Sequence, residues 1–110
     1  MMYKEFTVGN KEYKLRLNTR NTVNLEKQLG CNPLAIFGDG DSIPKITTMV
    51  QVLYASLVSY NHGLTLNDAY DIFDNYLADG HSATDFIGVI LDIYKVSGII
   101  KNDEVDEEKN

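Results

Sequence analysis

Several features that would point directly to a function are scarce in this sequence. Cys31 is the only cysteine among 110 residues, so the chain cannot form an internal disulfide, and a reducing compartment is the simpler expectation. A thiol nucleophile would need a histidine close to it in the fold, and His62 and His81 are both predicted to lie in a loop or at a helix start. We therefore expect an unreactive thiol.

Long apolar runs are also lacking. The first thirteen residues contain no apolar core of the kind that signal peptides have. The longest clean apolar stretch, Phe86 to Leu91, is far shorter than the ~20 residues that span a membrane. We therefore expect a soluble protein of the cytoplasm that is not exported by this route and makes no membrane contact.

Positive charge is in short supply. Ten lysines and arginines against sixteen acidic residues give a formal charge of -6 and a pI near 4.7. A surface that binds nucleic acid needs a basic footprint, so nucleic acid is not an expected partner. Hydrophobic residues make up 44% of the chain, which is enough for the core of one domain.

No motif that would hold a metal, a phosphate or a cofactor stands out. The acidic loop at 39–41 begins like a calcium loop, but Ile43 and Pro44 stand where an EF-hand needs a further ligand and a glycine. A turn that caps the next helix is the simpler interpretation. We therefore predict no catalytic residue, no cofactor and no metal site. The acidic side chains of the third predicted helix are interpreted as a solvated face formed by Asp68, Asp71 and Asp74.

The sequence does contain a well-defined opening segment. Gly-Asn at 9–10 predicts a two-residue type II′ turn, because glycine accepts the positive φ of the first central position. The register that follows places Phe6 opposite Tyr13 and Glu5 opposite Lys14, an aromatic pair and an opposite-charge pair. One face of this hairpin is apolar and must be covered, and helices are the obvious cover.

Four helices are predicted after the hairpin, with the second one at the centre. Asn18 or Thr19 can cap the first helix, and Gly30 can end it in the left-handed conformation. The fold class is α+β, mostly α: a two-stranded hairpin packed on about four helices, in one domain over residues 1–100. The predicted ranges are 3–17 for the hairpin, about 19–29, 43–60, 66–79 and 82–97 for the helices, and 101–110 for a disordered acidic tail.

The third and fourth helices carry wide apolar patterns. The third is predicted to present Leu66, Ala69, Tyr70, Phe73, Tyr76 and Leu77 to the core. The arc of the fourth is wider still, so this helix is either covered by its own core or covered on a second side by another subunit. The candidate protein-binding surface combines this arc with a short apolar turn that begins at Pro33. Its residues are Leu34, Ile36, Phe37, Phe86, Val89, Ile90, Ile93 and Tyr94.

The run YKEFTVGNKEYKLRLNTRNTVNLEKQLGCNPLAIFG leads from the hairpin through T-x5-LE-x2-LG to the apolar turn. It resembles the tail assembly chaperones of long-tailed bacteriophages and prophages of Gram-positive hosts, and the similarity continues more loosely to about residue 100. The resemblance implies a non-enzymatic protein of the host cytoplasm, absent from the finished virion, that coats the tape measure protein and helps recruit tail tube subunits. Such proteins are commonly made in a short form and a longer, frameshifted form, and this chain resembles the short one.

Two other classes of protein fit parts of the same pattern. A small acidic adaptor or inhibitor, for example an antitoxin-like module, would bind a single partner stoichiometrically. An enzyme using His62, His81 or the surface acids would need a polar cleft that nothing in the sequence indicates.

Self-association is expected in the chaperone case, because an isolated hairpin has exposed edges that pair with a neighbouring copy or dock on its own helices.

Overall fold

The computed structural model of the protein describes residues 2–38 and 43–101. The α+β fold predicted from the sequence is confirmed, with a hairpin followed by four helices. Apart from Lys101, the disordered tail predicted at 101–110 lies outside the described residues, and so does the acidic loop at 39–41. The elements in chain order are β1 (Lys4–Val8), β2 (Lys11–Leu15), α1 (Thr19–Leu29), a 3-10 helix (Pro33–Phe37), α2 (Ile46–Leu57), α3 (Leu66–Ala78) and α4 (Ala83–Val96).

The hairpin has the predicted register. Phe6 pairs with Tyr13 and Glu5 with Lys14. Gly9 takes a φ of 59°, whereas the next residue, Asn10, does not take a positive φ. A type II′ turn requires a positive φ at its first central residue and not at its second. The N–H of Gly9 also donates to the carboxylate of Asp79 at 2.8 Å. The tight turn is thereby tied to the end of α3.

The end of β2 and the residue that follows it are held by the end of α2 and the turn after it. The N–H of Arg16 donates to the carbonyl of Ser56 at 3.0 Å, and the hydroxyl of Ser59 donates to the carbonyl of Arg16 at 3.1 Å. The side-chain amide of Asn61 donates to the carbonyl of Lys14 at 3.3 Å. These bonds satisfy outward-facing backbone groups that would otherwise meet only water.

The helix ends follow the local capping chemistry. The side chain of Asn18 accepts from the N–H of Asn21 at 2.8 Å, and Gly30 closes α1 with a φ of 73°. Thr65 and Ser82 each begin a complete capping box, at the starts of α3 and α4. Only α2 differs clearly from the prediction: it spans 46–57 instead of 43–60, because the residues before it are extended and those after it form a turn.

The core is organised around α2, as predicted. Seven of its twelve residues are buried, and α1, α3, α4 and β2 all pack on it. β1 packs on α3 and α4. Four aromatic rings meet beneath β1, with centroids between 5.3 and 5.9 Å apart for the closest pairs, and they belong to Phe6, Phe73, Tyr76 and Phe86.

The inward face predicted for α3 is half wrong. Ala69, Phe73 and Tyr76 are buried, together with Ile72, which the prediction left out. In contrast, three large apolar side chains of this helix remain about 40% exposed: Leu66, Tyr70 and Leu77. The buried stripe is narrow because α3 packs against neighbours, chiefly α2 and β1, along one side only. None of the helices among the described residues is both long and apolar enough to cross a membrane.

Candidate protein-binding groove

The apolar turn after α1 is a 3-10 helix that is anchored to α4. The side chain of Asn32 caps it by accepting from the N–H of Leu34 at 2.8 Å. The hydroxyl of Tyr94 donates to the carbonyl of Pro33 at 2.9 Å, and the ring of Phe37 meets the ring of Tyr94 edge-on at 6.3 Å. Leu34 is 42% exposed, whereas Ile36 and Phe37 are half-buried against the core. The predicted surface therefore keeps one well-exposed residue in this turn.

The part of the candidate surface that was predicted on α4 requires correction. Four of the five residues predicted there are completely buried in the chain's own core, and the fifth, Val89, is half-buried. The physical reason is that α4 packs on α2 while β1 covers it from another side, and each buried side chain contributes roughly 1.5–3 kcal/mol of hydrophobic stabilisation. The residues that are core rather than surface are Phe86, Ile90, Ile93 and Tyr94.

An exposed groove lies elsewhere on the molecule, along α2. This α2 groove has a volume of about 430 Å³ and is bounded by α1 on one side and by the start of α3 on the other. Its α1 wall is polar, with the side chains of Asn21, Asn24, Lys27 and Gln28. Leu25 and Ala55, both buried, line its deepest part.

The remaining lining of the α2 groove is mostly apolar. Tyr54 of α2 and Val58, which follows that helix, are half-buried, Gln51 lies on the same face of α2, and Leu66 forms the α3 wall. Amide side chains can donate and accept hydrogen bonds, while the tyrosine ring and the aliphatic groups offer apolar surface. This combination suits the noncovalent binding of another polypeptide.

The three exposed side chains of α3 extend the α2 groove. Tyr70 follows Leu66 by four residues and Leu77 follows Tyr70 by seven, so all three lie on one face of the helix. We call this set the α3 stripe. Asp74, four residues after Tyr70 and three before Leu77, borders the stripe, and Asp71 lies one turn further back. The sequence places no lysine or arginine in α3.

A second cavity lies on the opposite side of α1. It measures about 350 Å³ and is bounded by α1 and by the residues that follow α4. The N–H of Leu17 donates to the hydroxyl of Ser97 at 2.9 Å across its floor. Val23, which is 42% exposed, lies on its rim, so an exposed apolar residue is available on α1 away from the α2 groove.

The reactive side chains of the described chain are dispersed. Cys31 is exposed, and His81 stacks on the ring of Tyr76 with 4.4 Å between ring centroids. Burial raises the pKa of Tyr76, with the nearby Asp85 adding to the effect. Within residues 2–38 and 43–101, no three histidine, cysteine or acidic side chains gather closely enough to hold a metal ion.

The comparisons with known proteins identify one family. A family model covers residues 2–109, which is nearly the whole chain, and its description is a family of unknown function, DUF6096. No curated protein and no solved structure matches the sequence. The chain is therefore a member of the DUF6096 family.

Proposed function

We propose that this protein is a non-enzymatic tail assembly chaperone of a long-tailed bacteriophage or prophage. It coats the tape measure protein in the host cytoplasm, helps recruit tail tube subunits and is left out of the finished virion. The proposal starts from the resemblance of residues 3–38 to such chaperones. In the structure these residues form a hairpin, an Asn18-capped helix and an anchored apolar turn.

The observation that supports this function best is the α2 groove with the α3 stripe beside it. A tape measure protein of the kind implied by the resemblance is long and helical, so it offers repeated amphipathic segments rather than one unique epitope. A groove between two helices that exposes apolar and amide side chains accepts a helix by its apolar face. Many copies binding in this way would coat an extended partner through individually modest contacts.

Self-association is part of the proposal, since copies on one long partner would lie side by side. The two edges of the hairpin are not equivalent in this respect. The edge of β2 is bonded near its end, where Asn61 donates to Lys14 and where Ser56 and Ser59 bond the next residue, Arg16. No corresponding bond from the described chain reaches the outward backbone groups of β1 at Glu5 and Thr7. β1 is therefore the more open edge, and we infer that it pairs with a neighbouring copy.

Co-expression with a long helical tape measure protein of the same phage or prophage tests the proposal. We expect the two proteins to copurify with many copies of this chain per partner, measured by native mass spectrometry. A discrete complex of one copy with one partner would favour the acidic adaptor or inhibitor instead. Failure to bind the long helical protein, even when the two are made together, would overturn the chaperone function.

The gene with its native downstream DNA supplies an independent test. A tail assembly chaperone of this type is expected to give, besides the chain of 110 residues, a longer product with the same N-terminus. Intact-mass measurement and an antibody against the N-terminal segment would detect it. A single product would remove this support and leave the binding experiment to decide.

A further inference from the structure

We infer that the α2 groove and the α3 stripe together bind an amphipathic helix whose apolar face is flanked by lysine or arginine on the side that meets α3. The identity of the partner rests on the proposed function, but the surface and the chemistry of its ligand do not.

The first argument is shape. The α3 stripe runs from Leu66 to Leu77, a distance of roughly 16 Å at 1.5 Å per residue. That is about three helical turns, which exceeds the roughly 10 Å over which a bound helix presents anchors at positions i, i+3 or i+4, and i+7. Leu66 belongs both to the stripe and to the wall of the α2 groove, so the two features form one continuous surface.

The second argument is exposure. Several large apolar side chains of the described chain are exposed, but three of them, each about 40% exposed, lie on one face of α3. Scattered exposed apolar residues are ordinary, but a contiguous set beside a groove marks a binding surface. Tyrosine is suited to such a place because its ring packs on apolar groups while its hydroxyl remains able to bond water or a partner.

The third argument is charge. Asp74 borders the stripe, Asp71 lies one turn away, and both are exposed. A helix without any basic residue cannot neutralise these carboxylates by itself, so they favour a partner with positive charge beside its apolar face. The opposite wall of the groove, formed by α1, has amide side chains and one cation, Lys27. The surface is therefore asymmetric, and the asymmetry orients the bound helix.

The test uses the full chain and three labelled helical peptides of 18 residues. Two share the same leucine stripe and differ only in its flanks, which are lysine in one and glutamate in the other. The third has the composition of the lysine peptide in an order that abolishes the stripe. Fluorescence anisotropy measures their affinities. We expect the lysine-flanked peptide to bind at least tenfold more tightly than either of the other two.

Variants of exposed residues locate the binding surface. Tyr70→Ser with Leu77→Ser should reduce the affinity for the lysine-flanked peptide at least tenfold, because apolar contact area is lost. Asp71→Asn with Asp74→Asn should reduce it at least threefold and make the affinity less dependent on salt. Val23→Ser is the matched control, since it removes an equally exposed apolar residue away from the α2 groove, and it should leave the affinity unchanged.

Each outcome either supports the inference or overturns it. Equal binding of the lysine-flanked and scrambled peptides would mean that net charge alone drives association, and would overturn it. The inference would also be overturned if the stripe variants bound the lysine-flanked peptide as tightly as the native chain does while their circular dichroism showed native folding. A tape measure protein that binds both the native chain and the stripe variants would overturn this surface and keep the proposed function. If the peptide binds through the stripe but no tape measure protein binds, the surface would be supported and the proposed function would be overturned.

Discussion

At the scale of single residues, Tyr94 shows how one side chain can join two segments. Its ring is completely buried, its hydroxyl donates to the carbonyl of Pro33, and Phe37 contacts its edge. Periodicity alone placed Tyr94 on a candidate surface, because an apolar residue on a wide arc looks the same whether it meets the core or a partner. Its hydrogen bond spans 61 residues of sequence, which no local pattern could reveal.

Removal of the Tyr94 hydroxyl should destabilise the fold. Tyr94→Phe removes the hydrogen bond to the carbonyl of Pro33 and keeps the ring, and we expect the free energy of unfolding to fall by roughly 0.5–1.5 kcal/mol. Urea denaturation measures the change. Tyr70→Phe is the control, because that ring is 40% exposed, and it should change stability by less than about 0.5 kcal/mol. Equal effects of the two substitutions would contradict the assigned role of the Pro33 bond.

The same residue predicts how stability depends on pH. Burial, with a smaller contribution from Cys31, raises the pKa of Tyr94 well above its ordinary value of 10.0. Above pH 10 the unfolded chain therefore loses this proton before the folded chain does, so the free energy of unfolding should fall as pH rises further. Unfolding measured at intervals from pH 8 to pH 11 should show a shallower decline for Tyr94→Phe. An identical decline in the variant would assign the effect to other groups.

At the scale of elements, the ends of the helices and the turn of the hairpin are set by interactions between residues only a few positions apart in the sequence. The capping boxes of α3 and α4 each use a hydroxyl and an aspartate three residues apart, as in Thr65 with Asp68. The hairpin register follows from the length of its turn. These parts of the fold could be predicted because their hydrogen bonds join near neighbours in sequence.

The N-cap of α3 offers a test of this local chemistry. Thr65→Ala removes the oxygen that accepts from the N–H of Asp68, and we expect a loss of about 0.5–2 kcal/mol. Thermal unfolding followed by circular dichroism measures it. Thr47→Ala, on the exposed side of α2, removes a threonine that has no capping role and should leave the stability within about 0.5 kcal/mol. A larger effect at Thr47 than at Thr65 would contradict the assignment of the cap.

The edges of the hairpin give a second test at this scale. The cross-strand pair Thr7 and Glu12 has both N–H groups directed away from the partner strand, so proline at either place removes no bond within the hairpin. If copies pair through β1, Thr7→Pro should abolish the self-association seen by analytical ultracentrifugation, whereas Glu12→Pro should leave it intact. Loss of association in both variants, or in neither, would rule out pairing through this edge.

At the scale of the whole molecule, one hydrophobic cluster includes residues from both strands and all four helices. Phe86 lies at its aromatic centre, where its ring contacts those of Phe6, Phe73 and Tyr76. These rings come from β1, α3 and α4, so they join the hairpin to the second half of the chain. We therefore expect the protein to unfold in a single cooperative transition.

Truncation of the Phe86 ring tests this cooperativity. Phe86→Ala should cost about 3–5 kcal/mol, since it leaves a cavity in the core, and should lower stability throughout the chain. Leu91→Ala on the same helix, where the side chain is partly exposed, should cost much less. Far-UV circular dichroism and tyrosine fluorescence should report coincident denaturation curves in the native chain. Separate transitions would show that the hairpin and the helices unfold independently.

The sequence by itself determined the local parts of this protein: the hairpin register, the caps of α1, the short turn that begins at Pro33 and the order of the elements. Only the tertiary structure decided which apolar residues are core and which are surface. It buried Phe86, Ile90, Ile93 and Tyr94 and left the α3 stripe exposed beside the α2 groove. The reason is physical, because a cap or turn is set by bonds between near neighbours, whereas burial depends on which distant element covers each side of a helix.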